Sequence, residues 1–388
     1  MNSGYYPTMT VLVTGSGSPK ALTVIRSLGR KGIGCTAASE RQPSLGSSSR
    51  YCTGTFFYPS PQKQPEAYIS ALTDFLRTHP HDVLLPVHSE DTYLIAEHKN
   101  SLEKYTKIPF HDYRYIQEIN DKGRLMEAAN ELSLPIPATY PVHSLADLTR
   151  IAQSVEFPVV IKMRDSSGSR GVEYAATEEE LQSRFSLMVK KFHLTEREYP
   201  IIQEYVQGDG YGVSVLYNHG DLRARCTHKR LREYPVSGGP STLRESTTHQ
   251  GMEKITADLL EHYHWHGVAM VEFKLRESDK KPVLLEVNPR IWGSINQSVL
   301  AGVDFPYLLY KMAVDGDIDP VLQYKTGVQS RNSFSDILAM GTYLLKTGRI
   351  KNLTTTRFLP LNDDILSIDD PKPAFRFLCS GFRHLIRQ

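Results

Sequence analysis

The sequence predicts an α/β fold that begins with an open parallel sheet, because short β-rich runs alternate with helical patterns over roughly the first 115 residues. Thr10–Val13 is such a run, and it ends in a small-residue turn at Gly15–Ser18. A helical pattern comes next, followed by a second short strand at Gly32–Ala37. Pro65–Thr78 has helical spacing, and Val83–Val87 is typical of a further strand. This alternation favours strands that pair in parallel, with helices on the faces of the sheet.

The middle of the chain mixes helices and strands without that simple alternation. Thr177 followed by Glu180 is the sequence pattern of a capping box, and it predicts where one of the helices begins. The polar, small-residue segment Arg164–Gly171 predicts a flexible loop. Helices are predicted at Asn120–Leu132, Thr177–Lys190, Gly251–His262 and Pro306–Val314, and strands at Pro158–Met163, Ile201–Val206 and Val213–Tyr217.

Length and composition limit the class of protein. A chain of 388 residues exceeds one ordinary core and predicts about two or three domains. The net charge of +2 gives no basic field on the scale of nucleic-acid binding, and no apolar run approaches the ~20 residues that span a bilayer. The N-terminal segment MNSGYYPTMT lacks the pattern of a secretory signal. The scattered cysteines Cys35, Cys52, Cys226 and Cys379 have no metal-binding spacing. We therefore expect a reduced, cytoplasmic protein without stable membrane insertion and without a nucleic-acid partner.

Val268–Ser294 carries the most informative pattern. Two apolar runs flank a charged link, which predicts a β-hairpin with its turn near Asp279. In that register Glu272 and Glu286 lie directly opposite each other, and like charges in that position destabilise a ladder. Asn288 points to the same face as Glu286. Facing carboxylates and an amide oxygen are suited to Mg²⁺, which completes its shell with substrate phosphates. The alternative is a surface hairpin with solvated acids.

Two further segments have the composition of phosphate-binding sites. Gly15–Ser18 follows a strand and opens a helix, which suits anion binding by backbone N–H groups, although the same turn is also explained by chain geometry alone. Lys162 ends an apolar strand directly before the SSGSRG loop. Small residues let backbone amides approach phosphates, while a lysine supplies a point charge. Lys122, at the start of an earlier helix, is a second candidate, or a solvated helix-end residue.

Three segments are open to more than one interpretation. Gln203–Val215 can present backbone groups to a purine and a carboxylate to a ribose, or it is a plain strand–turn–strand. His228–Ser246 is dense in basic residues, and its arginines could clamp a substrate carboxylate or the phosphate end of ATP; the alternative is a solvated basic loop. The C-terminal FRFLCSGFRHLIRQ predicts an amphipathic basic helix that docks on the protein's own core, with a membrane-surface role as the alternative.

Taken in order, these motifs resemble those of the ATP-grasp superfamily. The motifs that carry the resemblance are NDKGRLMEAANELSLPIPATY, PVVIKMRDSSGSRGV, QEYVQGDGYGVSV and VEFK…LLEVNPRIWGS. The resemblance covers roughly Val11 to Asp315. The segments HKRLREYPVSGGPSTLRES, WHGVAMVEFK and DDPKPAF are similar to a bacterial subgroup of carboxylate–amine ligases related to carbamoyl-phosphate-synthase-like proteins. With these segments the resemblance extends over almost the whole chain.

The resemblance implies three parts of the chain. A pre-ATP-grasp α/β domain would span about residues 1–117, and an ATP-grasp domain of two α+β subdomains about 118–318. Its lid subdomain would span about 160–207, and a helical or mixed extension would occupy 319–388. ATP would lie between the two subdomains.

The resemblance also implies a role for each motif residue. Lys122 and Lys162 would contact the ATP phosphates, and Glu272, Glu286 and Asn288 would hold Mg²⁺, with Mn²⁺ as the alternative. Arg290 and Lys162 would be catalytic, with Arg290 stabilising the transferred phosphoryl group. The remaining ATP contacts would be the lid residues Ser166, Ser167, Gly168, Ser169 and Gly171, the adenine neighbours Glu204, Tyr205 and Val206, and the ribose ligand Asp209.

The implied activity is an ATP-dependent carboxylate–amine ligase that acts through an acyl phosphate and releases ADP and phosphate. Its substrates would be a small carboxylate and an amine, including an amino acid. Two alternatives stay open: an enzyme that uses bicarbonate as the acid, and a nicotinamide-linked oxidoreductase built on the Gly15–Ser18 turn. The resemblance also allows a homodimer. Residues expected to contact substrate are Ser16, Glu90, Arg230, Arg232, Arg244 and Arg290.

Overall fold

A computed structural model describes residues 9–166, 171–236, 238–347 and 362–385. Its N-terminal part is a parallel sheet in which the described strands follow the order β3-β2-β1-β4. The strands are β1 (Thr10–Val13), β2 (Gly34–Ser39), β3 (Cys52–Phe57) and β4 (Val83–Leu85), and the helices are α1 (Pro19–Arg30), α2 (Pro65–Thr78), α3 (Ser89–Glu97) and α4 (Lys99–Leu102). The predicted open parallel sheet is confirmed. Strand β3, at the edge, was not predicted from the sequence.

The turn after β1 is fixed by local chemistry. Ser18 caps α1 by accepting a hydrogen bond from the Ala21 N–H, and Pro19 takes the first helical position, where a missing N–H costs nothing. Gly15 has φ +64°, and a Cβ there would lie 2.3 Å from the His88 ring. The turn therefore requires glycine, and it brings the carboxyl ends of β1 and β4 close together.

Two helices, α5 (Tyr113–Asn120) and α6 (Lys122–Glu131), lead to a small antiparallel sheet of order β5-β8-β6-β7. The long helix beside this sheet begins after Thr177, whose side chain accepts a hydrogen bond from the Glu180 N–H, as predicted. The small sheet and its helices have a separate hydrophobic cluster, which runs from Val142 to Ile202. The lid subdomain therefore begins before residue 160, where its start was expected. The elements are β5 (Thr139–Tyr140), α7 (Leu145–Ala152), β6 (Val159–Lys162), β7 (Val172–Ala175), α8 (Glu178–Phe192) and β8 (Ile201–Glu204).

A large antiparallel sheet follows, in which the described strands have the order β13-β12-β9-β10-β11-β14. One continuous hydrophobic cluster joins this sheet to the N-terminal sheet, whereas the small sheet has a separate cluster. The strands are β9 (Gly208–Asn218), β10 (Asp221–Glu233), β11 (Ser241–Thr247), β12 (Gly267–Arg276), β13 (Pro282–Asn288) and β14 (Gln329–Arg331). The helices are α9 (Gln250–His262), α10 (Ile295–Ala301), α11 (Phe305–Asp315), α12 (Ser333–Thr347) and α13 (Lys372–Leu385).

The predicted hairpin is β12–β13, and Glu272 pairs with Glu286 in its register. The pairing shifts directly beyond Glu272, where Phe273 pairs with Leu284 rather than with Leu285. A bulge of this kind re-aims the side chains around it. The two glutamates therefore face each other in the register of the strand ends beyond them, while the part of the hairpin towards the turn is shifted by one residue.

The residues after 318 complete the large sheet instead of forming a separate extension. Strand β14 pairs with β11, and α12 packs on β10 and β11. No helix within the described ranges is both long and apolar enough to span a bilayer.

Candidate functional site

The floor of the site is the face of β9 that carries no large side chains. Tyr211 and Val213 point into the core, whereas the alternate positions Gly210, Gly212 and Ser214 line the opposite face. Gly212 lies between Glu272 on β12 and His228 on β10. A Cβ at Gly212 would lie only 2.5 Å from the His228 ring. The glycine therefore makes room for the His228 ring on the face of the sheet beside the glutamate pair.

Positively charged and amide groups surround the opposed glutamates. The Asn288 side-chain amide donates to the Glu272 carboxylate at 3.1 Å and to the Glu286 carboxylate at 3.3 Å. Arg230 forms an ion pair with Glu272, and the Lys122 ammonium lies 3.6 Å from Glu286. These contacts offset the repulsion that two facing carboxylates create.

The two glutamates differ in their pKa. Burial raises the pKa of Glu272, and the charge of Glu286 adds to this, while Arg230 acts in the opposite direction. For Glu286, burial also favours the neutral form, but Lys122, Lys162 and Arg230 outweigh it and lower the pKa. The pair therefore holds one firmly ionised carboxylate and one that retains a proton more readily.

Two lysines lie near the acids, Lys162 on the small sheet and Lys122 on α6, which packs with the cluster of the large sheet. Lys162 is the last residue of β6, and burial, reinforced by neighbouring Lys122, lowers its pKa to about 8 against the opposing effect of Glu286. Lys122 is the first residue of α6, which Asp121 caps. Its ammonium donates to the Ser166 carbonyl at 2.9 Å. Lys122 thus connects the glutamate pair to the start of the polar loop.

Arg290 connects the acids to the N-terminal sheet. Its guanidinium donates to the Asn288 amide oxygen at 2.7 Å and to the Ser89 hydroxyl at 2.8 Å. Lys20 lies nearby, and its ammonium donates to the carbonyls of Val87 at 2.6 Å and Ile291 at 3.2 Å. Sequence reasoning missed Lys20, although its position directly after the Gly15–Ser18 turn was a usable signal.

The residues expected around a purine lie at the junction of β8 and β9. Tyr205 is 43% exposed and packs edge-on against Tyr174, while Val206 is buried. Among the described residues, none forms a hydrogen bond with the Val206 backbone N–H or carbonyl. Glu204 accepts from the Ala138 N–H at 3.2 Å. Asp209, expected at the ribose, pairs with Lys229 at 2.6 Å.

Three residues predicted to contact substrate have other partners, and these expectations need correction. Arg232 is 1% exposed and pairs with Asp336 at 2.6 Å, because a register shift after Arg230 moves it off the face that Arg230 shares with the acids. Arg244 is equally buried and pairs with Asp364. These guanidinium groups serve buried ion pairs and are closed to a ligand.

Ser16 is fully buried, and its hydroxyl bonds to that of Ser44 at 2.8 Å, so it too is closed to a ligand. Glu90 is exposed and lines a cavity next to the Gly15 turn. Arg230 pairs with Glu272 and Arg290 bonds to Asn288, and their predicted contact with substrate stays a prediction. Ser166 and Gly171 lie in the described chain, whereas Ser167, Gly168 and Ser169 lie outside the described residues and their role stays a prediction.

A small sheet carrying a lysine, facing a large sheet that carries opposed acids, defines the ATP-grasp class, and the chain has that fold. A family model described as "ATP-grasp in the biosynthetic pathway with Ter operon" matches residues 196–333. The predicted superfamily is therefore confirmed, together with the ligase-like character of its relatives.

Three known proteins illustrate the similarity. A D-aspartate ligase of Enterococcus faecium is 25% identical over 51% of this chain and 50% of its own. A carbamoyl phosphate synthase large chain of Pyrococcus furiosus is 21% identical over 59% of this chain and 22% of its own. The alignments thus span about half and about a fifth of these curated relatives. The structure of an L-amino acid ligase from Bacillus licheniformis has a TM-score of 0.63 at 15% identity, covering 81% of this chain and 78% of its own, which shows the shared fold.

Proposed function

We propose that this protein is an ATP-dependent ligase that joins a small carboxylate to an amine, including an amino acid, in the cytoplasm. The observation that carries the proposal is the pair Glu272–Glu286, opposed on one hairpin, with the Lys122 ammonium beside Glu286 and Lys162 near it at the end of β6 in the small sheet. The names of two similar proteins, D-aspartate ligase and L-amino acid ligase, support the same reaction class.

The donor set fits Mg²⁺. Glu272 and Glu286 supply two hard carboxylate ligands, and Mg²⁺ commonly takes few protein ligands beside substrate phosphates. The Asn288 amide directs its nitrogen at both carboxylates and its oxygen at Arg290, so Asn288 would join the ligand set only with its amide turned over. No cluster of three His, Cys, Asp or Glu side chains suited to a metal occurs in the described ranges, so nucleotide phosphates would complete the shell. When bound, the ion would neutralise charge on the transferring phosphoryl group.

The protein's own cations would carry the rest of the first step. A substrate carboxylate oxygen attacks the γ-phosphorus of ATP, the bond to the bridging oxygen breaks, and ADP leaves. Lys122 and Lys162 would hold the phosphates, and Arg290 would stabilise the charge that develops on the transferred group. Lys162 is suited to this because it is half-buried at the end of β6, with the charges of Glu286 and Lys122 close to it.

The second step forms the amide bond. The amine nitrogen attacks the carbonyl carbon of the acyl phosphate, phosphate departs with the bonding electron pair, and the nitrogen loses one proton. Because water competes for the acyl phosphate, the reaction needs a closed cleft. We propose that the unpaired Val206 backbone groups beside Tyr205 receive the adenine edge, which would orient the nucleotide between the two sheets.

The test is ADP release by the intact chain with Mg²⁺ and ATP, screened over amino acids paired with small carboxylates. Glu286→Gln should abolish turnover with any active pair, whereas Glu277→Gln, in the exposed turn of the same hairpin, should leave it unchanged. Full turnover in Glu286→Gln would overturn the metal assignment. ADP release that depends on bicarbonate alone, with no organic acid present, would select a carboxylating reaction instead.

A further inference from the structure

A cavity of about 780 Å³ lies at the carboxyl edge of the N-terminal sheet, where open α/β sheets bind their ligands. Helix α13 forms one wall of it through Arg376, Phe377 and Cys379. The opposite wall comes from the turns that follow β1, β2 and β4, including Gly15, Ser44 and Asp91. A volume of this size accommodates a small metabolite.

Two adjacent acids hold the segment before α13 on the N-terminal domain. Asp370 is buried and accepts from the Arg26 guanidinium at 3.0 Å, from the Ser49 hydroxyl at 2.7 Å and from the Arg50 N–H at 2.9 Å. Asp369 forms a forked ion pair with Arg30. Buried, charge-assisted hydrogen bonds of this kind fix a segment firmly. The C-terminal helix is therefore a built wall of the cavity.

The cavity carries both signs of charge. Asp91 is 1% exposed and lies within 3.5 Å of the Tyr58 hydroxyl, and Glu90 lies next to it on α3. On the opposite wall, Arg376 forms no hydrogen bond or ion pair with another residue of the described chain. An uncommitted guanidinium facing a pocket is suited to a carboxylate, and acids are suited to an ammonium group.

The cavity and the phosphoryl site meet at the start of α3. Ser89 holds Arg290, and the next two residues, Glu90 and Asp91, line the cavity. Lys20 lies between them, since both Arg290 and Asp91 act on its charge. A molecule in the cavity therefore borders the group that we place at the transferred phosphoryl.

We propose that this cavity binds the amine substrate of the ligase, an amino acid, with its ammonium group on the exposed carboxylate of Glu90 and its carboxylate on Arg376 of helix α13. The C-terminal helix then selects the substrate. The inference rests on the proposed function for the identity of the reaction, and its own content is the position and chemistry of the amine site.

The experiment measures binding of a probe set to the intact chain, without ATP, by saturation-transfer NMR and calorimetry. The probes are the proteinogenic L-amino acids, D-aspartate and D-alanine, together with their carboxamides. At least one amino acid should bind, and its carboxamide should bind about tenfold or more weaker, because the charged contact is lost. Arg376→Ala should weaken binding of the amino acid by a similar factor, so that the amino acid and its carboxamide bind with equal affinity.

Two matched variants sharpen the result. Lys372→Ala, exposed at the start of the same helix, should leave binding unchanged, and Arg376→Lys should restore part of the affinity. The proposal would be overturned if an amino acid and its carboxamide bound equally to the natural chain, or if Arg376→Ala did not change binding of the amino acid. It would also be overturned if no amino acid bound. A separate titration of ATP tests the proposed function. If ATP binds and no amino acid does, only the proposed amine site is wrong.

Discussion

The Nε of Arg290 lies 2.8 Å from the hydroxyl of Ser89, 201 positions earlier in the chain. This bond joins Arg290, two residues beyond the β12–β13 hairpin, to the first residue of α3. Because Glu90 and Asp91 follow Ser89 directly, the start of α3 borders both the proposed phosphoryl site and the cavity under α13. In the proposed reaction, the two substrates would meet there.

We expect Arg290→Ala to lower kcat by about a hundredfold or more, because it removes a preorganised cation from the transferring group. Ser89→Ala should cost about tenfold, since it removes one hydrogen bond that orients that cation and leaves the charge in place. Steady-state ADP release with an active substrate pair provides the measurement. Ser101→Ala, at an exposed helix end, is the control, and a kcat for Ser89→Ala equal to that of the control would contradict the positioning role.

The glutamate pair should make nucleotide binding depend on Mg²⁺. In the intact chain, ATP with Mg²⁺ should raise the apparent Tm well above the value for either alone, because the cation relieves repulsion between Glu272 and Glu286. Glu272→Gln should lose most of that rise, while Glu277→Gln should keep it. Differential scanning fluorimetry measures the shift, and an equal rise in both variants would show that the pair holds no metal.

Much of this site could be predicted from sequence because the hairpin is local. The spacing of Glu272 and Glu286 about a turn at Asp279 set their register, and the structure confirms that they are opposed. The parallel sheet was predictable for a similar reason, since its strands and helices alternate along the chain. A bulge next to Glu272 was not predictable, because it depends on packing between strands.

The arginines show where sequence reasoning ends. Arg230, Arg232 and Arg244 have similar neighbours in sequence, yet only Arg230 faces the acids. A register shift moves Arg232, and Asp364, 120 positions away, pairs with Arg244. The cavity under α13 was missed for the same reason, because the contact between Asp370 and Arg26 spans 344 positions.

The buried pair Arg232–Asp336 should stabilise the fold and have no direct role in catalysis. Asp336→Ala leaves a guanidinium buried without its main partner, which costs about 3–5 kcal/mol. Asp258→Ala, which breaks the exposed pair with Lys254, should cost less than about 1 kcal/mol. Denaturant unfolding of both variants checks the difference. A small cost for Asp336→Ala together with a raised KM for a substrate would restore Arg232 as a ligand-binding group.

The buried carboxyl of Asp91 should make stability depend on pH. Burial raises its pKa from 3.8 to about 7, so between these values the folded chain holds a proton that the unfolded chain has released. The free energy of unfolding therefore falls as the pH rises through this window, by up to about 1.4 kcal/mol per pH unit from this group. Asp91→Asn has no such titration and keeps an amide oxygen for the Tyr58 hydroxyl. Its apparent Tm relative to the natural chain should therefore rise steadily from about pH 4 to about pH 7 and then level off. Asp319→Asn, on the surface, is the control, and the difference between its apparent Tm and that of the natural chain should be the same at every pH. A difference in Tm that is equally constant for Asp91→Asn would mean that Asp91 is ionised throughout.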